Sequence, residues 1–125
     1  FRAAVLSVLP GASVQWAVDD SLSPAMQGGR IEVLAGSAHI DEELRVGERV
    51  FRFRISPFSF FQTNTLATET LYGMIRAWIA DAAPGRLYDL YGGSGGIAFA
   101  CADHCGTIES VEAVASATED GRQRM

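Results

Sequence analysis

At 125 residues, the chain has room for one domain or for part of a larger one. A hydrophobic share of 48% supports a packed core and excludes a disordered chain. Fifteen acids oppose ten bases, all arginine, and the net charge of −5 is unfavourable for gripping nucleic-acid phosphates through this piece. No run approaches the roughly 18 apolar residues of a membrane helix, so no membrane partner is expected. The chain opens on Phe1 with no cleavage pattern, which suggests a processed or excised segment. Cys101 and Cys105 lie four apart on a predicted helix and read as buried apolar cysteines. Two such ligands, with no histidine at metal spacing, do not make a zinc site, so no metal is expected. A cytoplasmic compartment fits.

Residues 3–18 read as two strands around the Pro10-Gly11 turn, the first apolar from Ala3 to Val8 and the second alternating from Val14 to Val18. Asp19 to Gly29 is polar and turn-rich, hence a loop. Ile31–Leu34 and a short Ala38–Ile40 read as further strands, and the acids with Gly47 mark another turn. Val50 to Ile55 alternates cleanly, with Phe51, Phe53 and Ile55 on one face and Arg52 and Arg54 on the other. The first 55 residues therefore read as an antiparallel, hairpin-rich platform. Arg45, Arg49, Arg52 and Arg54 are its basic concentration. With Asp41, Glu42, Glu43 and Glu48 among them, a solvated strand face is the preferred reading over a phosphate contact. His39 and His104 stand alone and read as structural.

Ser56 to Asn64 breaks the pattern, with three phenylalanines around Pro57 and a polar amide, Gln62, after them. Thr63 or Asn64 can cap a helix over Thr65–Ala80. Leu66, Leu71, Met74, Ile75, Trp78 and Ile79 are expected to form its core stripe. Gln62, just ahead of that helix, is placed to reach a cofactor or to serve a turn.

The chain is organised around Leu87 to Ile97: a short apolar strand, Asp89 near its carboxyl end, a glycine-rich turn, then a helix. Four glycines, Gly92, Gly93, Gly95 and Gly96, leave one wall of the turn without side chains, so a ligand can approach the backbone N–H groups and the positive helix end. A second strand follows one helix later and ends on Glu112, where an acid usually meets ribose hydroxyls. Gly93 to Ala98 formally satisfies the dinucleotide fingerprint. Asp89, four residues before Gly93, would repel a pyrophosphate and suits a ligand with a cationic amino group, which S-adenosylmethionine has and NAD lacks. A third helix begins around Ser116. Strand 86–91, helix 95–104 and strand 107–112 make one βαβ unit. Two parallel strands do not normally stand alone, so the chain is expected to be a fragment, with open edges that allow self-association.

Ser59-Phe60-Phe61-Gln62-Thr63-Asn64, followed by Thr68 to Tyr72 and by Asp89-Leu90-Tyr91-Gly92-Gly93-Ser94-Gly95, resembles the RNA (uracil-5-)-methyltransferases, S-adenosylmethionine-dependent enzymes that form 5-methyluridine in ribosomal and transfer RNA. The resemblance runs from about Gly29 to the end. It implies that Gln62 contacts the methionine part of the cofactor, that Tyr91 packs near it, that the Gly93–Gly95 turn faces it, and that Glu112 holds the ribose hydroxyls. It also implies a cysteine thiolate adding to C6 of uracil and a base removing the C5 proton. The family's nucleophile and base lie far downstream of this loop, and neither Cys101 nor Cys105 matches the nucleophile's context. Two departures are visible: the family usually has cysteine where Gly92 stands, and asparagine or threonine where Gly96 stands.

The expected architecture is α/β: a β-rich platform over 1–55, a connecting loop and helix over 56–85, and over 86–125 the first βαβ unit of a Rossmann-like, doubly wound methyltransferase domain. The expected cofactor residues are Gln62, Asp89, Tyr91, Gly93, Gly95, Gly96 and Glu112, with the RNA met through other parts of the protein. The alternatives are a non-catalytic nucleotide-binding or interaction module of the same fold, and an NAD-binding oxidoreductase fragment.

Overall fold

The computed structural model describes residues 1–19 and 29–123. The loop expected over Asp19–Gly29 lies outside them apart from its two end residues, as do the last two residues of the chain. The chain divides into two compact units, Phe1–Ile40 and Asp41–Met125, of mixed α and β structure.

In the first unit, the apolar run expected as a strand is instead helix α1, Arg2–Val8. An apolar run this short does not distinguish strand from helix by period. Ala3, Ala4 and Leu6 favour the helix intrinsically, and the Val5 and Leu9 N–H groups donate to the carbonyls of Phe1 and Val5. Pro10 then stops it. Strands β1 (Val14–Val18) and β2 (Arg30–Ala35) pair antiparallel from Val18↔Arg30 to Val14↔Ala35, with an irregularity between Val14 and Gln15. Beyond β2 the chain turns through Gly36 at φ +73°, where a Cβ would press on Ser13. The Ser37 N–H donates to the Ser13 hydroxyl at 2.9 Å, closing that end. Ala38–His39, expected in a short strand, lies in the bend that follows.

The second unit begins with β3 (Ile40–Val46) and β4 (Arg49–Ile55), which form their own two-stranded sheet through a two-residue turn at Gly47-Glu48. A connection that short admits only antiparallel pairing. The platform expected over residues 1–55 is thus two separate hairpins. Asp41 to Glu43, expected at a turn, continue the strand. Asp41 and Glu43 lie on the exposed face, while Glu42, on the face of Leu44 and Val46, is half-buried and accepts from the Thr65 hydroxyl at 2.9 Å. Leu44 and Val46 are buried in one cluster with Phe51 and Phe53.

Helix α2 spans Thr65–Ala82, and the Asn64 side chain caps it by accepting from the Ala67 N–H at 3.0 Å. Its inward stripe differs from the expected one. Thr68 and Tyr72 are buried and Ile75 and Ile79 partly so, at spacings of four, three and four, whereas Leu66, Leu71, Met74 and Trp78 are exposed, Trp78 by 63%. Ile75 and Ile79 keep the inward positions expected of them, whereas Leu66, Leu71, Met74 and Trp78 do not, because a threonine and a tyrosine take the central inward positions.

Strands β5 (Arg86–Leu90) and β6 (Thr107–Val111) pair in parallel from Arg86↔Thr107 to Leu90↔Val111. The crossover is helix α3 (Gly96–Cys101) with a 3-10 turn at Ala102–His104, so the helix expected to reach residue 104 tightens over its last turn. Helix α4 (Ala115–Arg122) follows. Leu87 and Ile108 pack on one core with Leu44, Phe53, Ala100 and Cys101. Tyr88, Leu90 and Val111 occupy the other face of the pair and are exposed.

Candidate functional site

The Leu87–Ile97 stretch forms two cavities on either side of its glycine turn. The first, about 130 Å³, is lined by Gln62, Tyr72, Asp89, Tyr91, Gly93 and Gly96 among others. The second, about 180 Å³, is lined by Gly93, Gly95, Ser110 and Glu112, with Thr118 and Gly121 of α4. All seven residues expected from the sequence therefore line one cavity or the other, and Gly93 borders both.

The turn's backbone is largely committed to internal partners. The Gly92 N–H donates to the Val111 carbonyl at 3.1 Å, the Gly93 N–H to the Glu112 carboxylate at 2.9 Å, and the Gly95 N–H to the Gly92 carbonyl at 2.8 Å. Helix α3 has only six residues, so the strongly positive helix end expected behind the turn is reduced to little more than one turn of aligned peptides. Gly93 and Gly95 stand at φ +57° and +78°. A Cβ on Gly95 would lie 2.8 Å from the Phe99 ring, whereas one on Gly93 would meet only the Phe60 carbonyl at 3.8 Å.

Asp89 is buried at the floor of the first cavity, and the Ser110 hydroxyl donates to it at 3.3 Å. A Cβ on Gly92 would collide with that hydroxyl and lie 2.9 Å from the Asp89 carboxylate. Ser110 and Asp89 thus occupy the space into which a side chain at position 92 would point. Tyr91 adopts φ +62°, a left-handed conformation that costs a non-glycine residue about 1 kcal/mol. Its ring stands 93% exposed at the mouth of the cavity.

Glu112 is held from two sides. Its carboxylate accepts from the Val114 N–H at 2.8 Å and the Gly93 N–H at 2.9 Å, and these donors keep its carboxyl below the usual value. The same bonds fix the carboxylate against the turn. Gln62 is exposed at the rim, and Phe61 anchors its loop by packing on Phe53, with ring centroids 5.2 Å apart.

Two residues outside the expected cofactor set complete the site. Tyr72 reaches the first cavity from α2, and burial, with the Asp89 charge second, pushes its phenol above the ordinary value. Asp120 of α4 accepts from the Ser56 N–H at 2.9 Å and from the Ser56 and Ser59 hydroxyls at 2.7 and 2.5 Å. It ties the loop that carries Gln62 to the helix behind the turn. Tyr72 closes the Thr68–Tyr72 element of the resemblance, which assigns it no role, and nothing local marks Asp120.

The remaining candidates stay apart from this site. Arg52 pairs with Glu43 at 2.7 Å and Arg49 with Asp103 at 2.8 Å, as a solvated strand face would. Cys101 is fully buried, and its thiol is pushed up by burial first and by Cys105 second. The Cys105 thiol donates to the Cys101 carbonyl at 3.3 Å. Among the described residues, no group of three or more histidines, cysteines or acids is arranged to hold a metal. No described helix is long and apolar enough to cross a membrane.

No protein-family model matches the chain. Individual proteins do. An uncharacterised RNA methyltransferase of Clostridium tetani is 34% identical over 106 residues, 85% of this chain and 22% of that protein. The 23S rRNA (uracil(747)-C(5))-methyltransferase RlmC of Halothiobacillus neapolitanus is 41% identical over 83 residues, 66% of this chain and 22% of that protein. The tRNA (uracil-5-)-methyltransferase homolog A of Homo sapiens is 38% identical over 100 residues, 80% of this chain and 15% of that protein. The chain therefore spans about a fifth of the length of the curated relatives it matches. By this shared sequence, the chain is similar to a segment of RNA methyltransferases, among them (uracil-5-)-methyltransferases of rRNA and tRNA.

Proposed function

We propose that residues 56–125 form part of the S-adenosylmethionine site of an RNA uracil-C5 methyltransferase, within a Rossmann-like domain whose first βαβ unit is β5–α3–β6. The observation that carries this reading is the placement of two fixed carboxylates, Asp89 and Glu112, in the two cavities that meet at Gly93. Asp89 suits the cationic amino group of the cofactor's methionine end, with Gln62 at its rim and Tyr91 beside it. Glu112 suits the ribose hydroxyls, because an ionised carboxylate keeps lone pairs available beyond those that the Val114 and Gly93 N–H groups use.

The fit extends to what the site rejects. A pyrophosphate needs unused N–H donors at the turn and no buried acid beside it. Here three of the turn's N–H groups have internal acceptors, and Asp89 adjoins them. This favours the methyl-donor cofactor over NAD. The exposed face formed by Tyr88, Leu90 and Val111 fits a longer parallel sheet, since such sheets are covered on both sides.

When bound, the cofactor supplies an electrophilic methyl group. Residues of this chain bind and orient it. Cys101 is buried with a raised thiol pKa, so it does not serve as a thiolate nucleophile. The thiolate and the C5 base belong to the proposal as groups from outside residues 1–125, as do the surfaces that select an rRNA or tRNA substrate in the cytoplasm. Parallel calorimetric titrations of the protein with S-adenosylmethionine, S-adenosylhomocysteine and NAD test the reading. Binding of the first two without NAD is expected, and binding of NAD alone would overturn it.

A further inference from the structure

Tyr72 and Gly96 share one volume. A Cβ on Gly96 would stand 2.5 Å from the Tyr72 hydroxyl oxygen and 3.0 and 3.1 Å from two of its ring carbons. The tyrosine therefore fills the space that a side chain at position 96 would enter, which accounts for the glycine there. Tyr72 is only 8% exposed, yet its hydroxyl makes no hydrogen bond to any other described residue. It lines the same cavity as Asp89 and Gln62. The hydroxyl is not sealed from solvent but opens on that cavity, where a ligand would meet it.

We propose that Tyr72 is a ligand-binding residue of the cleft, its hydroxyl donating to the carboxylate of an amino-acid-bearing ligand while Asp89 receives the ammonium group. The inference rests on the S-adenosylmethionine reading and adds to it the residue that recognises the carboxylate. Asp89 alone would repel a ligand carboxylate. A neutral O–H beside Asp89 offsets that repulsion by offering the ligand carboxylate a donor, whereas an acid at that position would add to it. The phenol stays protonated there, since burial and the Asp89 charge both disfavour phenolate. NAD carries neither an amino-acid carboxylate nor its ammonium, so the pair also contributes to discrimination.

The test is calorimetric titration of the full-length protein with S-adenosylmethionine and with decarboxylated S-adenosylmethionine, which keeps the amino group and lacks the carboxylate. Wild type is expected to prefer the former. Tyr72→Phe is expected to lose about tenfold in affinity for S-adenosylmethionine and little for the decarboxylated form, as removal of one hydrogen bond to a charged group implies. Gly96→Asn displaces the hydroxyl without removing it and is expected to give the same selective loss. Combining Gly96→Asn with Tyr72→Val returns the volume and is expected to restore the fold, a non-additivity expected of residues in contact, while the selective loss for S-adenosylmethionine remains because the hydroxyl is gone. Wild type binding neither compound would overturn the cofactor reading and this inference with it. Wild type binding S-adenosylmethionine, with Tyr72→Phe unchanged or weakened equally toward both compounds, would overturn the role of Tyr72 and leave the cofactor reading standing.

Discussion

The Ser59 hydroxyl donates to the Asp120 carboxylate at 2.5 Å across 61 residues of sequence, and Asp120 is only 4% exposed. With the two bonds from Ser56, this one acid fixes the loop that carries Phe61 and Gln62 onto α4. The adjacent Gly121 lets α4 lie against the glycine turn, where a Cβ would sit 3.0 Å from the Ser94 carbonyl. The rim of the cleft and its floor are joined through α4.

Asp120→Ala leaves three donors of the loop without their acceptor and is expected to destabilise the protein by about 2–4 kcal/mol. Chemical denaturation measures the loss. Hydrogen exchange should show it concentrated in the amides of residues 56–62, and uniform loss of protection across α2 and β5 would contradict the local tie.

Gly93→Ala and Gly95→Ala both place a side chain at positive φ, which costs about 1–2 kcal/mol at each. Gly95→Ala adds a clash with Phe99, while position 93 is open. Thermal unfolding should therefore fall further for Gly95→Ala than for Gly93→Ala. The reverse order would show that the Phe99 ring yields freely.

Acid sensitivity should centre on Asp103. The Arg76 guanidinium, bonded to both of its oxygens, holds its carboxyl well below the usual carboxylate range. A folded-state pKa below the unfolded one gives stability that is fully present above the ordinary value of about 3.9 and is lost as pH falls toward the folded value. Asp103 is partly exposed, so solvent screening keeps the effect modest. Asp103→Asn is expected to lower Tm at pH 7, with the gap to wild type narrowing progressively as pH falls below about 4. A gap that persists unchanged into acid would contradict the assignment.

Glu112→Ala removes the acceptor for the Gly93 and Val114 N–H groups along with the proposed ribose contact. S-adenosylhomocysteine binding should weaken by about 1–3 kcal/mol, measured by calorimetry. Undiminished affinity would separate the structural role of Glu112 from any ligand role.

Much of this was legible because it is local. The alternation of Phe51 and Phe53 with Arg52 and Arg54 marks β4, Asn64 marks the start of α2, and the glycines after Asp89 mark the turn, each through neighbours in sequence. The first run was ambiguous, since Ala3 to Val8 is too short and too uniformly apolar to display a period. The inward face of α2 was half legible, through Ile75 and Ile79, and half hidden, because Thr68 and Tyr72 occupy the rest of it. Tyr72 gains its place from Gly96, 24 positions away, and Asp120 from Ser56 and Ser59, more than 60 away. No spacing rule within either segment contains those encounters.

In the proposed site, the buried Asp89 carboxylate receives the ammonium group of S-adenosylmethionine. Titrating Asp89→Asn with S-adenosylhomocysteine, beside wild type and with circular dichroism to confirm that the fold is kept, tests it most directly. A loss of at least tenfold is expected, since an ionic hydrogen bond beside the turn is removed. Wild-type affinity in a folded Asp89→Asn protein would contradict it.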